Sequence, residues 1–146
     1  MPKNPPDGMP RITPYLFYKD VKNALEWLTH AFGFEKRYEM PDPNGAIMHA
    51  EMTLKDGVIM MGPVSLERGS QSPTELPAVH QSLYIYVDAV DEHFKQAKAA
   101  GAEIMFEPDD MFWGDRMYAA KDLEGHHWSF AEHVKDIAPE DMKPDF

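Results

Sequence analysis

The landmarks of this 146-residue chain occur twice in the same order, and that repeat constrains the fold more than any other feature. Asp20 opens a helix-patterned stretch that Gly33 closes, and Asp88 opens another that Gly101 closes. Asp20 and Asp88, Gly33 and Gly101, and Gly57 and Gly125 are each 68 positions apart. A chain built from two copies of one supersecondary unit is expected to carry its site where the copies face each other. The repeat therefore selects the positions to inspect for chemistry.

Ile12–Tyr18 (ITPYLFY) is rich in aromatic and β-branched residues and reads as a strand. Asp20 caps the helix that follows, whose apolar stripe is Val21, Ala24, Leu25, Leu28 and Phe32. Strands are predicted over Phe34–Met40, Ala46–Leu54 and Val58–Met61, with turns at Pro41–Gly45 and Lys55–Gly57. The second copy gives a strand over Ser82–Val87 and a helix capped by Asp88 that buries Val90, Phe94, Ala97 and Ala100. Strands over Glu103–Phe106, Met117–Lys121 and His126–Ala131 follow, with a last hairpin turn at Asp122–Gly125. Each unit is thus βαβββ, an α+β arrangement with one helix on one face of a mixed sheet. Two such sheets side by side would form a curved trough.

The expected organisation is a flexible arm (1–10), a first module (11–62), a linker (63–79), a second module (80–134) and a C-terminal tail (135–146). The linker's proline and serine content suits a mobile cover over a pocket. The N-terminal MPKNPPDGMP holds no apolar run of the signal-peptide kind, and no apolar stretch approaches the roughly 20 residues of a membrane span. Cysteine is absent, which excludes disulfides, thiolate metal sites and a cysteine nucleophile and suits a cytoplasmic protein. A net charge of −11 opposes binding to phosphate backbones, so nucleic acid is not an expected partner. Eleven methionines and seventeen aromatics are suited to core packing and also to lining an apolar pocket.

From Arg11 to Val134 the chain resembles the vicinal oxygen chelate superfamily, in its glyoxalase and bleomycin-resistance-like branch. The resemblance is carried by ITPYLFYKDV (Ile12–Val21), AFGF (Ala31–Phe34), VDAV (Val87–Val90) and AAGA (Ala99–Ala102). Its most specific piece is WGDRMYAAKDLEGHHWSFAEH (Trp113–His133). The resemblance implies a double βαβββ fold, a homodimer, and, in members with metal chemistry, His, Glu or Gln ligands on the first and last strand of each unit. Mapped through the repeat, those positions hold Thr13, Met61, Ser82 and Ser129. Hydroxyls are weak donors at neutral pH, and a thioether does not hold a hard divalent ion. The usual metal site is therefore expected to be missing. A relocated divalent-metal site would draw on His49, Glu51 and His127, with His80 nearby; ordinary strand faces are the other reading of these residues.

Without a metal the trough is expected to bind a small, partly apolar or aromatic organic molecule, as in sequestration-type resistance. Strand alternation groups Thr13, Tyr15 and Phe17, and likewise Ser82, Tyr84 and Tyr86. Rings and phenolic hydroxyls suit a planar ligand, or they fill the core. Trp113 and Arg116 can project at a rim, Arg116 to clamp a carboxylate or to pair with Asp115 or Glu51. Ligand contacts are thus expected from Tyr15, Phe17, His49, Tyr84, Tyr86, Trp113, Arg116 and His127. If catalysis occurs, Glu51 and Arg116 are the candidates, in a metal-dependent lyase or dioxygenase or a non-metal isomerase. No serine-nucleophile motif and no phosphate-cradling glycine loop is present, and no cofactor is expected.

Overall fold

Asp20 and Gly33 bracket the first helix for the reasons the sequence suggests. In the structure, a computed structural model that describes residues 2–144, strand β1 (Tyr15–Tyr18) leads into helix α1 (Val21–Phe32). The Asp20 side chain accepts the Asn23 N–H at 3.0 Å. Gly33, at φ +82°, donates its N–H to the Thr29 carbonyl, and Phe34 donates to Leu28, which closes the last turn. The whole predicted stripe, with Ala31, is buried against the sheet.

That sheet adds β2 (Glu35–Pro41), β3 (Ile47–Leu54) and β4 (Gly57–Pro63), in the order β1-β4-β3-β2. β1 runs parallel to β4, with Tyr15 opposite Met60, and the other pairings are antiparallel. The second unit repeats this with β5 (Ser82–Tyr86), α2 (Val90–Ala99), β6 (Glu103–Asp110), β7 (Asp115–Lys121) and β8 (His127–His133). Its order is β5-β8-β7-β6, again with one parallel pair, Tyr84 opposite Ser129. The chain divides into these two units between Leu76 and Pro77. Strands are shifted from their predicted bounds at the ends; β6 and β8 run longer and β1 starts later.

Two expectations fail together, and for one reason. Tyr15 and Tyr84, Val21 and Val90, and Met60 and Ser129 are structural equivalents, each pair 69 positions apart rather than 68. Asp88 therefore falls one residue before the N-cap of α2, which is Ala89 and offers no side-chain cap. Glu132 of β8 supplies the acceptor instead, its Oε1 receiving the Val90 N–H at 2.9 Å. Likewise Met61 does not match Ser129. It is fully buried on the α1 side of its sheet, and Met60 takes the equivalent place.

The hairpins show where the repeat breaks. β3 and β4 are joined by Lys55 and Asp56 alone, with Leu54 opposite Gly57, whereas β7 and β8 are joined by residues 122–126. That longer loop is organised by Asp122, whose Oδ1 accepts the N–H groups of Glu124 and His126 and whose Oδ2 accepts Trp128 Nε1 at 3.1 Å.

The first residue of the expected arm and the last two of the expected tail lie outside the described residues. The expected linker carries local structure: Ser72 is buried and caps the short turn Pro73–Glu75, and Lys19 Nζ meets Glu75 at 2.5 Å. Among the described residues no helix is long and apolar enough to cross a membrane.

Candidate functional site

In the second unit, strand alternation sends Leu83 and Ile85 toward α2 and leaves Tyr84 and Tyr86 on the opposite face, 45% and 60% exposed. β7 alternates in the same way. Tyr118 packs edge-on to Phe94 of α2 and bonds His93, while Asp115 emerges on the tyrosine face. Gly114, at φ +103°, makes the tight turn that sets Trp113 beside Asp115. The turn is closed by Met111 N–H donating to the Asp115 carbonyl at 2.7 Å and Gly114 N–H donating to Met111 at 3.1 Å.

Four donors converge on the Asp115 carboxylate, which is 2% exposed. Oδ2 accepts the hydroxyls of Tyr84 at 2.7 Å and Tyr86 at 2.9 Å and the Trp113 indole N–H at 3.2 Å. Oδ1 meets His133 Nδ1 at 2.8 Å, and His133 Nε2 meets Asp136 at 2.7 Å. Burial alone would push the Asp115 carboxyl up; its hydrogen bonds from Tyr84, His133, Tyr86 and Trp113 outweigh burial and hold it below the usual carboxylate range. Burial and the bond to Asp115 push the Tyr84 phenol up to about 12, so it stays a neutral donor. The Tyr86 phenol is raised by its bond to Asp115. The two tyrosine rings meet edge to face with centroids 5.6 Å apart.

Arg116 does not share this face. One position after Asp115, it turns to the helix side, donating from Nε to Asp91 of α2 at 3.0 Å and from Nη1 to Asp110 at 3.1 Å. Its partners are neither Asp115 nor Glu51, and a role as an anion clamp beside Trp113 has no support in this geometry.

The first unit has its own polar line on the face opposite α1. Tyr15 of β1 and His49 and Glu51 of β3 stand in a row: Tyr15 Oη lies 2.9 Å from His49 Nδ1, and His49 Nε2 lies 2.9 Å from Glu51 Oε2. Arg37 holds the other Glu51 oxygen. With its proton on Nε2 and donated to Glu51, the neutral imidazole accepts the Tyr15 hydroxyl at Nδ1. The bond from His49, together with Arg37, keeps the Glu51 carboxyl low against the opposing effect of burial. Burial and the Glu51 charge raise the Tyr15 phenol. Gly62 makes room for this row, since a Cβ there would stand 2.6 Å from Tyr15 Oη. Phe17 lies beside Tyr15 at 5.3 Å between ring centroids.

The positions that the family resemblance marks for ligands, carried through the observed register, hold Thr13, Met60, Ser82 and Ser129, with Met61 turned into the core. Three hydroxyls and a thioether do not fit a divalent ion. His49 and Glu51 lie in the first unit and His127, which opens β8 opposite Ser82, in the second. Among the described residues no three His, Asp or Glu side chains converge as a metal site requires. His80 and His30 are exposed. His93 packs against the Phe130 ring, tilted with centroids 4.3 Å apart, and bonds the Tyr118 hydroxyl at 2.6 Å.

Sequence reasoning missed Asp115, His133 and Arg37 as members of these clusters. Asp115 was legible in part: Gly114 between it and Trp113 permits a tight turn that brings the two side chains together. Nothing in the sequence signals that His133 and Arg37 reach carboxylates 18 and 14 positions away.

A model of the Glyoxalase/Bleomycin resistance protein/Dioxygenase superfamily matches residues 8–130. The crystal structure of TioX from Micromonospora sp. ML1 is 33% identical in sequence, with a TM-score of 0.69 over 86% of this chain and 100% of that one. A superfamily member from Sphaerobacter thermophilus is 19% identical, with a TM-score of 0.67 over 85% of this chain and 98% of that one, a likeness of fold alone. An uncharacterised protein of Mycobacterium tuberculosis (strain H37Rv) is 28% identical over 137 residues, covering 92% of this chain and 81% of that protein.

Proposed function

The chain belongs to the Glyoxalase/Bleomycin resistance protein/Dioxygenase superfamily, and from that membership we propose that it binds a small, partly apolar or aromatic organic molecule without the metal chemistry of some relatives. The reading is carried by one observation: Tyr84 and Tyr86 stand exposed on an open sheet face, yet their hydroxyls are fixed to the same buried carboxylate. Large rings in water are a cost unless something covers them, and rings already held in place lose little freedom when it does. Trp113, bonded to the same cluster, extends the aromatic surface. Stacking on such rings, with a few directed hydrogen bonds, is how proteins hold planar organic ligands. In this reading the protein sequesters its ligand unchanged.

The test is a thermal-shift screen of planar aromatic compounds on protein purified without an affinity tag and treated with chelator. A rise in melting temperature that Tyr84→Ala and Trp113→Ala abolish is the expected result. Binding untouched by both substitutions would place the ligand elsewhere, and stoichiometric tightly held Ni, Zn, Mn or Fe would overturn the metal-free reading.

A second reading is favoured by the first unit. Tyr15, His49 and Glu51 form a hydroxyl–imidazole–carboxylate row, the order used where a hydroxyl gives up its proton to a histidine oriented by an acid. Such a row suits a metal-independent proton-transfer reaction such as an isomerisation. Conversion of a bound compound that is lost in Glu51→Gln while binding survives would favour it over sequestration.

A further inference from the structure

The hydrogens of the second unit's aromatic cluster restrict what its ligand can be. A tyrosine has one O–H and a tryptophan one N–H. Tyr84 and Tyr86 both give theirs to Asp115 Oδ2, and Trp113 shares its N–H between that oxygen and Tyr84 Oη at 3.2 Å each. Every polar hydrogen of these three side chains is therefore spent inside the cluster. What remains toward solvent is acceptor capacity on two phenolic oxygens, above all on Tyr86, together with the negative faces of three aromatic rings. The guanidinium nearest in sequence, Arg116, is turned away and doubly engaged by Asp91 and Asp110. Ser82 and Ser129 carry hydroxyls on the same face beside Tyr84, but the aromatic cluster itself offers acceptors and ring faces and no free donor, and so is complementary to a group that brings its own N–H donors and positive charge. A carboxylate or phosphonate seated on Tyr86 and Trp113 would instead meet lone pairs and ring faces, since their hydrogens are already given to Asp115 and Tyr84. The chain's net charge of −11 acts in the same direction at longer range.

We infer that the ligand of this face is a planar aromatic cation bearing N–H donors, an amidinium or arylammonium, seated on Tyr84, Tyr86 and Trp113 with its donors on the tyrosine oxygens. The inference rests on the ligand-binding reading above and names the ligand's chemical class.

Benzamidine, benzamide and benzoate share size and planarity and differ in charge and donors, so they serve as probes in calorimetric or NMR titrations of the full chain at high salt. Benzamidine is expected to bind about tenfold or more tightly than benzoate, with benzamide between them. Tyr86→Phe keeps the ring and the net charge and removes an exposed hydroxyl whose place water can take at Asp115. It is expected to erase most of benzamidine's advantage over benzamide. Three results would overturn the inference. An advantage unchanged in Tyr86→Phe and in Tyr84→Phe would assign it to the overall field instead of this face. Equal binding of all three probes would remove the charge and donor requirement while leaving the binding reading intact. Binding of none of them, nor of larger neutral aromatics, would remove both.

Discussion

Glu132 caps a helix that begins 42 positions before it: its Oε1 accepts the Val90 N–H at 2.9 Å and ties β8 to the start of α2. A helix N-terminus needs an acceptor for its first N–H groups, and a negative one also complements the helix dipole. In α1 the local Asp20 does this work. Glu132→Ala should therefore destabilise the fold by about 1 kcal/mol, comparable to Asp20→Ala. Urea denaturation of the two variants checks this. A Glu132→Ala variant as stable as wild type would mean that its bond to the Val90 N–H does not cap α2.

Gly114 and Gly101 give a controlled comparison of strain with collision. Both have positive φ, +103° and +95°. A Cβ at Gly101 meets nothing within 4 Å, whereas at Gly114 it would stand 2.0 Å from the Lys135 carbonyl oxygen. Val134 and Lys135 both donate their N–H groups to the Gly114 carbonyl at 3.0 Å, so that backbone cannot retreat without losing them. Gly101→Ala should cost about 1 kcal/mol of conformational strain. Gly114→Ala should cost several times as much and displace Trp113. Thermal melts of the two variants, with tryptophan fluorescence as a local probe, measure the difference.

The repeat was legible because helix stripes and turn glycines are written in local sequence, and the two sheets have the same strand order. Its phase was not. Gly57 begins a strand and Gly125 sits inside a loop, so equating them shifted the last strand of the first unit by one residue. In a strand a one-residue shift exchanges faces, which is why Met61 was placed on the open side and lies in the core. Alternation alone puts Tyr15, Tyr84 and Tyr86 on the exposed sheet faces, where the structure has them. The groups that hold them, His133 on Asp115 and Arg37 on Glu51, depend on strand neighbours that only the register of the folded sheet determines. Arg116 was misplaced for a simpler reason, since Asp115 and Arg116 are consecutive on a strand and cannot share a face.

Gly62 tests how the first unit's row is maintained. A Cβ there would stand 2.6 Å from Tyr15 Oη and 3.2 Å from the Met48 carbonyl oxygen; the ring is partly exposed and can swing away, and the backbone need give by only a few tenths of an ångström. Gly62→Ala should keep the fold, with a loss of no more than about 1 kcal/mol, and break the hydrogen bond from Tyr15 to His49. Imidazole nitrogen chemical shifts report this directly, because Nδ1 loses its donor while Nε2 keeps its bond to Glu51. Unchanged shifts would show that the row tolerates the methyl group.

His133 and the Asp115 carboxylate that it meets at Oδ1 make stability depend on pH in opposite directions. Hydrogen bonds to Asp115 and Asp136 raise His133 above its ordinary value. Its contribution is complete below the unfolded value of about 6.5 and fades as pH rises through the higher folded value. Asp115 is held low, so its contribution is complete above the unfolded value of about 3.9 and is lost as pH falls through the lower folded one. His133→Gln should therefore flatten the decline in stability on the alkaline side of about pH 6.5 and leave the acid limb in place. Asp115→Asn should flatten the acid limb and also weaken the alkaline one, because the bond to Asp115 is the largest cause of the raised His133 value. It should also lower stability at neutral pH by about 1–3 kcal/mol, because a buried amide cannot accept all four donors. Urea midpoints measured across the pH range for wild type and both variants separate the two effects. An acid limb that survives Asp115→Asn unchanged would mean that this carboxylate, although buried under four donors, does not govern it.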